Sequence, residues 1–163
     1  MNILATLCTV VAVYATAKAE KLEIGIFAGG CFWCTEASFE KVAGVKKVIS
    51  GYMGGPEKNP TYKQVSSGRT GHLEVVQVTY DAEIISYSSV LRAFWMMYDP
   101  TDAGGSFVDR GHQYTSAIFY FNESQQTLAE VSKRELEASS RFSAPIVTPI
   151  RPAETFYAAE GYH

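Results

Sequence analysis

The chain is 163 residues long and 47% hydrophobic, with 14 basic and 17 acidic side chains and a formal net charge of -3. That length fits one domain with a sizeable core. The charge balance gives no reason to look for a nucleic acid, an anionic membrane or a polyanionic substrate. Ten Tyr and nine Phe exceed what a minimal core requires, which leaves phenols for polar work.

The N-terminus differs from the rest. Ile3 to Ala17 is a nearly continuous run of apolar or small residues, followed by Ala17-Lys18-Ala19 and then Glu20. The run is short for a transmembrane helix, and Ala-x-Ala is the pattern a signal peptidase accepts. Residues 1–19 are therefore expected to be a cleaved export signal, and residues 20–163 the mature, periplasmic or secreted domain. Met1-Asn2 carries only the α-amino charge, which keeps a mis-chosen start codon with a cytoplasmic product, or an uncleaved anchor, as alternatives. Cys8 falls inside this leader, so the mature chain has two cysteines, Cys31 and Cys34.

Leu22 to Ala28 carries β-branched and aromatic residues up to Gly29-Gly30 and reads as a buried strand. A helix over about Cys31 to Ala43 follows, with Phe32, Phe39 and Val42 near one face and Gly44 placed to end it. The glycine pair lets the backbone turn sharply, so Cys31 should stand where the strand passes to the helix N-terminus. Unpaired N–H groups and the helix dipole there favour the thiolate, which is both the nucleophile and the oxidisable form. Phe32 and Trp33 beside the sulfur point to a pocket for a small apolar group, with plain core packing as the alternative.

Val45 to Ser50 is a second strand, and the stretch from Gly51 to Tyr62 is a turn-rich loop. His72 to Tyr80 alternates so that His72, Glu74, Val76, Val78 and Tyr80 share one face. A carboxyl desolvated on that face would have a raised pKa and could donate a proton near neutrality; the alternative is an edge Glu with its head in solvent. Ser86 or Tyr87 opens a second helix, with Val90, Leu91, Phe94, Met97 and Tyr98 inward, which must end before Pro100.

The loop from Asp99 to His112 offers Asp102, Asp109, Arg110 and His112, and Tyr114 stands at the entrance of a strand running to Phe121. Asn122 caps a third helix that runs to about Ser140. Pro145 to Ile150 is a short last strand, and the tail from Glu154 to His163 has aromatics but no clear period. The order β-α-β-β-α-β-α-β predicts an α+β fold. It has a ferredoxin-like βαββαβ core, a two-layer sandwich, with an extra helix and strand and long loops that could close over the sheet end carrying Cys31.

Cys-x-x-Cys at a helix start permits a thiol redox enzyme, a disulfide-exchange protein, half of a zinc site, or an unreactive buried pair. Zinc would need two further ligands, and His72, His112 and His163 stand at spacings that match no common finger or ribbon. Disulfide exchange fits an exported Cys-x-x-Cys. The element order, however, is not the thioredoxin one, and Phe-Trp between the cysteines would crowd a site that docks proteins.

Gly30-Cys31-Phe32-Trp33 with Glu36 resembles the active-site signature of the A-type peptide methionine sulfoxide reductases. Gly51-Tyr52-Met53-Gly54-Gly55, Asn59-Pro60-Thr61-Tyr62, Gly71-His72-Leu73-Glu74, Phe94-Trp95, Asp99-Pro100 and the run from Asp109 to Ile118 match family motifs in family order. The similarity spans about Ile24 to His163. It implies that Cys31 attacks the sulfur of methionine-S-sulfoxide, free or in proteins, while Glu74 protonates the oxygen and Tyr62 and Tyr114 hydrogen-bond it. Phe32 and Trp33 would hold the S-methyl group. Asp109 would orient Tyr114 or bind substrate backbone, or simply cap its loop.

The resemblance further implies that Cys31 is left as a sulfenic acid, which a neighbouring thiol condenses into a disulfide. Many relatives carry resolving cysteines in a C-terminal extension, whereas this chain has none after Cys34. Cys34, one helical turn on, is the internal candidate for that role; otherwise an external thiol attacks the sulfenic acid. The end at His163 also fits a chain lacking a tail that its relatives have. A monomer that needs no metal or organic cofactor, only a thioredoxin-like reductant, completes the expectation.

Overall fold

A computed structural model describes residues 19–161. Residues 1–18 of the expected leader, with Cys8, and Tyr162 and His163 at the other end lie outside the described residues. The elements are β1 (Leu22–Gly29), α1 (Phe32–Phe39), β2 (Val45–Met53), α2 (Tyr62–Ser66), β3 (Leu73–Asp81) and α3 (Tyr87–Phe94). They continue with β4 (Gly105–Ser106), β5 (Asp109–Arg110), a 3-10 turn (His112–Tyr114), β6 (Ser116–Tyr120), α4 (Glu123–Ala138), β7 (Ile150–Pro152) and β8 (Tyr157–Ala158).

One sheet runs in the order β7-β6-β1-β3-β2-β8, and each neighbouring pair among its four inner strands is antiparallel. That is the ferredoxin-like order expected from the chain, extended by β7, parallel to β6, and by β8, antiparallel to β2. Period-two alternation divides the core between the two faces. Phe27, Val76, Val78 and Tyr80 meet Phe32 and Phe39 of α1 and Val90, Leu91 and Phe94 of α3. Ile26, Ala28, Met53, Leu73, Val75, Ala117 and Phe119 form the opposite face, with Ala153 and Phe156 packed against it. Trp95, just past α3, donates its indole N–H to Ser132 of α4 at 2.8 Å, which joins the third helix of the expected order to the core.

Several boundaries differ from expectation, each for a stated reason. The first helix ends at Phe39 rather than near Ala43, because Lys41 and Val42 donate to Ser38 and Phe39 in tight three-residue turns before Gly44, at φ +94°, reverses the chain. The same tightening stops α3 at Phe94, where Met96 and Met97 bond to Ala93 and Phe94. Gly51, Tyr52 and Met53, expected in a loop, extend β2 because Val75, Glu74 and Leu73 pair with them. The loop after them closes with α2, whose start is a reciprocal Thr61–Gln64 capping box. The last expected strand, Pro145 to Ile150, shifts to Ile150–Pro152, where β6 offers a free edge. The second, β8, was not anticipated at all.

Candidate active site

β1 delivers the chain to Gly29, and Gly30 takes φ +97°. A Cβ on Gly30 would fall 2.4 Å from Ser106 Cβ, so the β4–β5 hairpin can lie against this turn only because residue 30 is glycine. Cys31 is the N-cap of α1, and its carbonyl accepts from Thr35 N–H at 3.2 Å. The backbone N–H groups of Cys34 and Trp33 reach its sulfur. Cys31 is half-buried, Cys34 is exposed, and both are free thiols.

The expectation of a favoured thiolate at Cys31 is corrected here. Burial pushes the Cys31 thiol up from its ordinary value, outweighing the two helix-start N–H groups, and the nearby charges of Glu74 and Cys34 push the same way. The helix start is present as expected, but the sulfur is desolvated at it.

Glu74 stands opposite Tyr52 in the β2–β3 ladder and is 1% exposed, which removes the alternative of a solvated edge carboxylate. Its Oε2 accepts the Phe32 N–H at 3.1 Å, and its Oε1, also buried, has no hydrogen-bond partner. Burial raises this carboxyl to about 7 and the Asp109 charge adds to the rise, while the Phe32 N–H opposes both. Near neutrality the group is therefore divided between acid and carboxylate.

Aromatic side chains close around that carboxyl. Phe32 is fully buried, with the Tyr62 ring stacked on it at 6.1 Å and the Tyr52 ring tilted against it at 5.9 Å. Trp33 is 53% exposed. The Tyr114 phenol is pushed up to about 12, first by burial and then by the charges of Glu74 and Tyr62. These couplings put Cys31, Glu74, Tyr62, Tyr114 and Asp109 around one site. The side chain hydrogen-bonded to Tyr114 is Gln113, while Asp109 acts on that phenol through its charge.

Sequence reasoning missed two side chains here. Gln113 donates from Nε2 to the Ser66 carbonyl at 2.9 Å, which ties the Tyr114 turn to the end of α2. Glu160, in the tail that has aromatics but no clear period, accepts the Tyr62 N–H at 2.8 Å and the Tyr52 hydroxyl at 2.9 Å. As the one acidic side chain after Glu154, in an aromatic stretch, it could have been singled out.

The histidines serve the loops. His72 accepts the Gly55 N–H at Nδ1 (3.2 Å) and donates from Nε2 to the Glu57 carbonyl (2.8 Å), and His112 Nε2 meets the Gly71 carbonyl at 2.9 Å. Among the described residues no three His, Cys, Asp or Glu side chains are grouped to hold a metal.

Comparison with known proteins adds an independent line. The family model described as peptide methionine sulfoxide reductase matches residues 23–163. Peptide methionine sulfoxide reductase MsrA of Listeria monocytogenes is 55% identical over 144 residues, covering 88% of this chain and 81% of that protein. Among solved structures, Mxr1 from Saccharomyces cerevisiae in reduced form superposes with a TM-score of 0.82 at 30% identity, covering 88% of this chain and 82% of its own. Methionine sulfoxide reductase A of Corynebacterium diphtheriae gives a TM-score of 0.74 at 30% identity, covering 85% and 70%.

Proposed function

Since the chain belongs to the peptide methionine sulfoxide reductase family, we propose that Cys31 is its nucleophile and Glu74 its proton donor in the reduction of methionine-S-sulfoxide to methionine. The observation that carries this reading is the buried Glu74 carboxyl beside Cys31. One of its oxygens is held by the Phe32 N–H, and the other is unpaired and half protonated near neutrality.

Oxide is a poor leaving group and becomes a far better one when protonated. Glu74 supplies that proton to the sulfoxide oxygen while Tyr62 and Tyr114 donate hydrogen bonds to it. The Cys31 thiolate attacks the sulfoxide sulfur and forms an Sγ–S bond; the protonated oxygen then passes to Sγ as the S–O and S–S bonds break, so that methionine leaves, Cys31 remains as a sulfenic acid, and the two electrons it gives up are those the sulfoxide takes. The Phe32 ring, with Trp33, supplies an apolar slot for the S-methyl group, and oxygen donors on the other side select one sulfoxide epimer. Asp109 tunes Glu74 and Tyr114 by its charge.

Cys34 then attacks the sulfenic sulfur, a disulfide forms and water leaves. An external dithiol reduces that disulfide. Mxr1 forms a complex with Trx2, and the same kind of reductant, a thioredoxin-like protein, suits the exposed Cys34 here. Disulfide exchange as the main activity is not favoured, because the sheet order is ferredoxin-like and the 55% identical relative is named for sulfoxide reduction. Export of residues 20–163 after removal of the apolar leader belongs to the same proposal and is tested by N-terminal sequencing of the protein recovered outside the cytoplasm.

The deciding experiment offers each methionine sulfoxide epimer to the reduced protein with dithiothreitol. Consumption of the S epimer alone, abolished by Cys31→Ser and slowed by Glu74→Gln in a single turnover, is the expected result. An unchanged single-turnover rate in Glu74→Gln would remove the acid assignment.

A further inference from the structure

The C-terminal strap reaches the site through one carboxylate. β8 pairs Tyr157 with Tyr52 and Ala158 with Gly51, and Ala159 N–H donates to the Ser50 carbonyl at 2.9 Å. This ladder depends on a glycine, since a Cβ on Gly51 would fall 2.4 Å from Phe156 Cζ and 2.5 Å from the Tyr157 carbonyl oxygen. The next residue, Glu160, is thereby set over the start of α2. Its Oε1 accepts the Tyr62 N–H at 2.8 Å, a donor that the first turn of a helix leaves without an intrahelical partner. Its Oε2 accepts the Tyr52 hydroxyl at 2.9 Å.

Tyr52 and Tyr62 are the two rings against Phe32, and Tyr52 is also the cross-strand partner of Glu74. One side chain therefore spans both aromatics that frame the apolar slot and the carboxyl. Sulfoxide reduction needs an oxygen donor and a proton donor aimed at the same atom, and small misplacements of such groups cost large factors in rate.

We propose that Glu160 is a positioning residue for sulfoxide reduction, holding Tyr62 and, through Tyr52, the Phe32 ring in register with Glu74. The inference rests on the reading of Tyr62 as a donor to the sulfoxide oxygen. What matters in it is the reach of the side chain across two donors rather than its charge. Gln has the same length: its carbonyl oxygen can accept the Tyr62 N–H and its amide can donate to the Tyr52 oxygen. Asp keeps the charge but is one methylene too short to hold both.

The test is a single-turnover assay of a methionine-S-sulfoxide peptide with the reduced full chain, comparing wild type, Glu160→Gln, Glu160→Asp, Tyr62→Phe and Glu160→Asp combined with Tyr62→Phe. Glu160→Gln is expected within about twofold of wild type and Glu160→Asp about tenfold slower, with the rate limb near pH 7 unmoved because Glu74 is untouched. In the Tyr62→Phe background the Asp substitution should cost clearly less than it does in wild type, since the part of its effect that runs through the Tyr62 phenol is already gone. A wild-type rate in Glu160→Asp overturns the proposal, as does a Gln variant slower than the Asp variant, or an equal loss in both Tyr62 backgrounds. If the Asp variant does not fold, a slowed Glu160→Gln still overturns it. A wild-type rate in Tyr62→Phe instead overturns the oxygen-donor reading of Tyr62, and that result involves no change at residue 160.

Discussion

Glu74→Gln separates the cost of holding this carboxyl from its use. Ionised Glu74 is buried with one oxygen unpaired, and burial has raised the group from 4.5 to about 7. The folded state therefore holds the proton more tightly than the unfolded chain does. Stability from the neutral acid is fully present below about pH 4.5 and is lost as pH rises through about 7. Above that, the ionised group costs the native state about 3 kcal/mol. Gln has no such pH dependence, but its amide leaves a buried N–H pair poorly satisfied at every pH, worth about 1 kcal/mol. The variant should thus be less stable than wild type by about 1 kcal/mol near about pH 4 and more stable by about 2 kcal/mol near about pH 8.5. Urea unfolding of both proteins across that range checks this, because the wild-type-minus-variant difference cancels the titrating groups that do not sense Glu74, and burial has moved the Cys31 thiol and the Tyr114 phenol, which do, further up. Parallel stability curves that never cross would refute the account of Glu74 as a carboxyl destabilised by its own burial.

The chemical step should carry the same signature. Its reacting form, a protonated Glu74 with a Cys31 thiolate, has lost one of the two protons the pair can hold, so the single-turnover rate should rise through about pH 7. In Glu74→Gln that limb should vanish, leaving the rise governed by the elevated Cys31 thiol; a limb that persists would assign it to another group. Cys34→Ser should keep the first turnover and lose at least about tenfold in steady state with a dithiol protein reductant, while a sulfenic-acid probe then labels Cys31. Equal steady-state rates would transfer resolution to an external thiol. Gly51→Ala should push Phe156 and Tyr157 off β2, seen as amide exchange at Ala159 at least about tenfold faster than in wild type; unchanged protection would mean that the strap tolerates the methyl group.

The parts of the fold that were legible are those whose cause is local. Alternation along β3 placed Glu74 with Val76, Val78 and Tyr80 because side-chain direction in a strand depends only on parity, and those residues do face α1 and α3. Asn122 was readable as a helix cap because capping involves residues three apart, and its side chain accepts the Gln125 N–H. What failed depended on partners distant in sequence. Gly51-Tyr52-Met53 has the composition of a turn and is a strand only because β3 lies beside it. β7 and β8, three and two residues long, are too short to show a period and exist because β6 and β2 had open edges.

The site divides along the same line. The residues proposed to carry the chemistry, Cys31, Tyr62, Glu74 and Tyr114, could be picked out from motifs, since each stands in a short stretch that resembles the family in order. Their electrostatics could not, because desolvation is set by everything that packs around a group. The rule that a helix start favours thiolate named the right N–H groups at Cys31 and still gave the wrong sign. At Glu74 parity gave the right sign, because an apolar strand face already implies burial. The supporting residues were hidden for a third reason. Gln113 and Glu160 act through backbone groups of α2, an element the sequence did not disclose, so nothing in their own neighbourhoods said what they would bond to. A short helix held from outside at both ends can keep a phenol in place that its five residues could not hold by themselves. The tail that looked least informative thus supplies one support of the Tyr62 geometry, beside the Gln113 bond at the other end of α2 and the Thr61–Gln64 capping box.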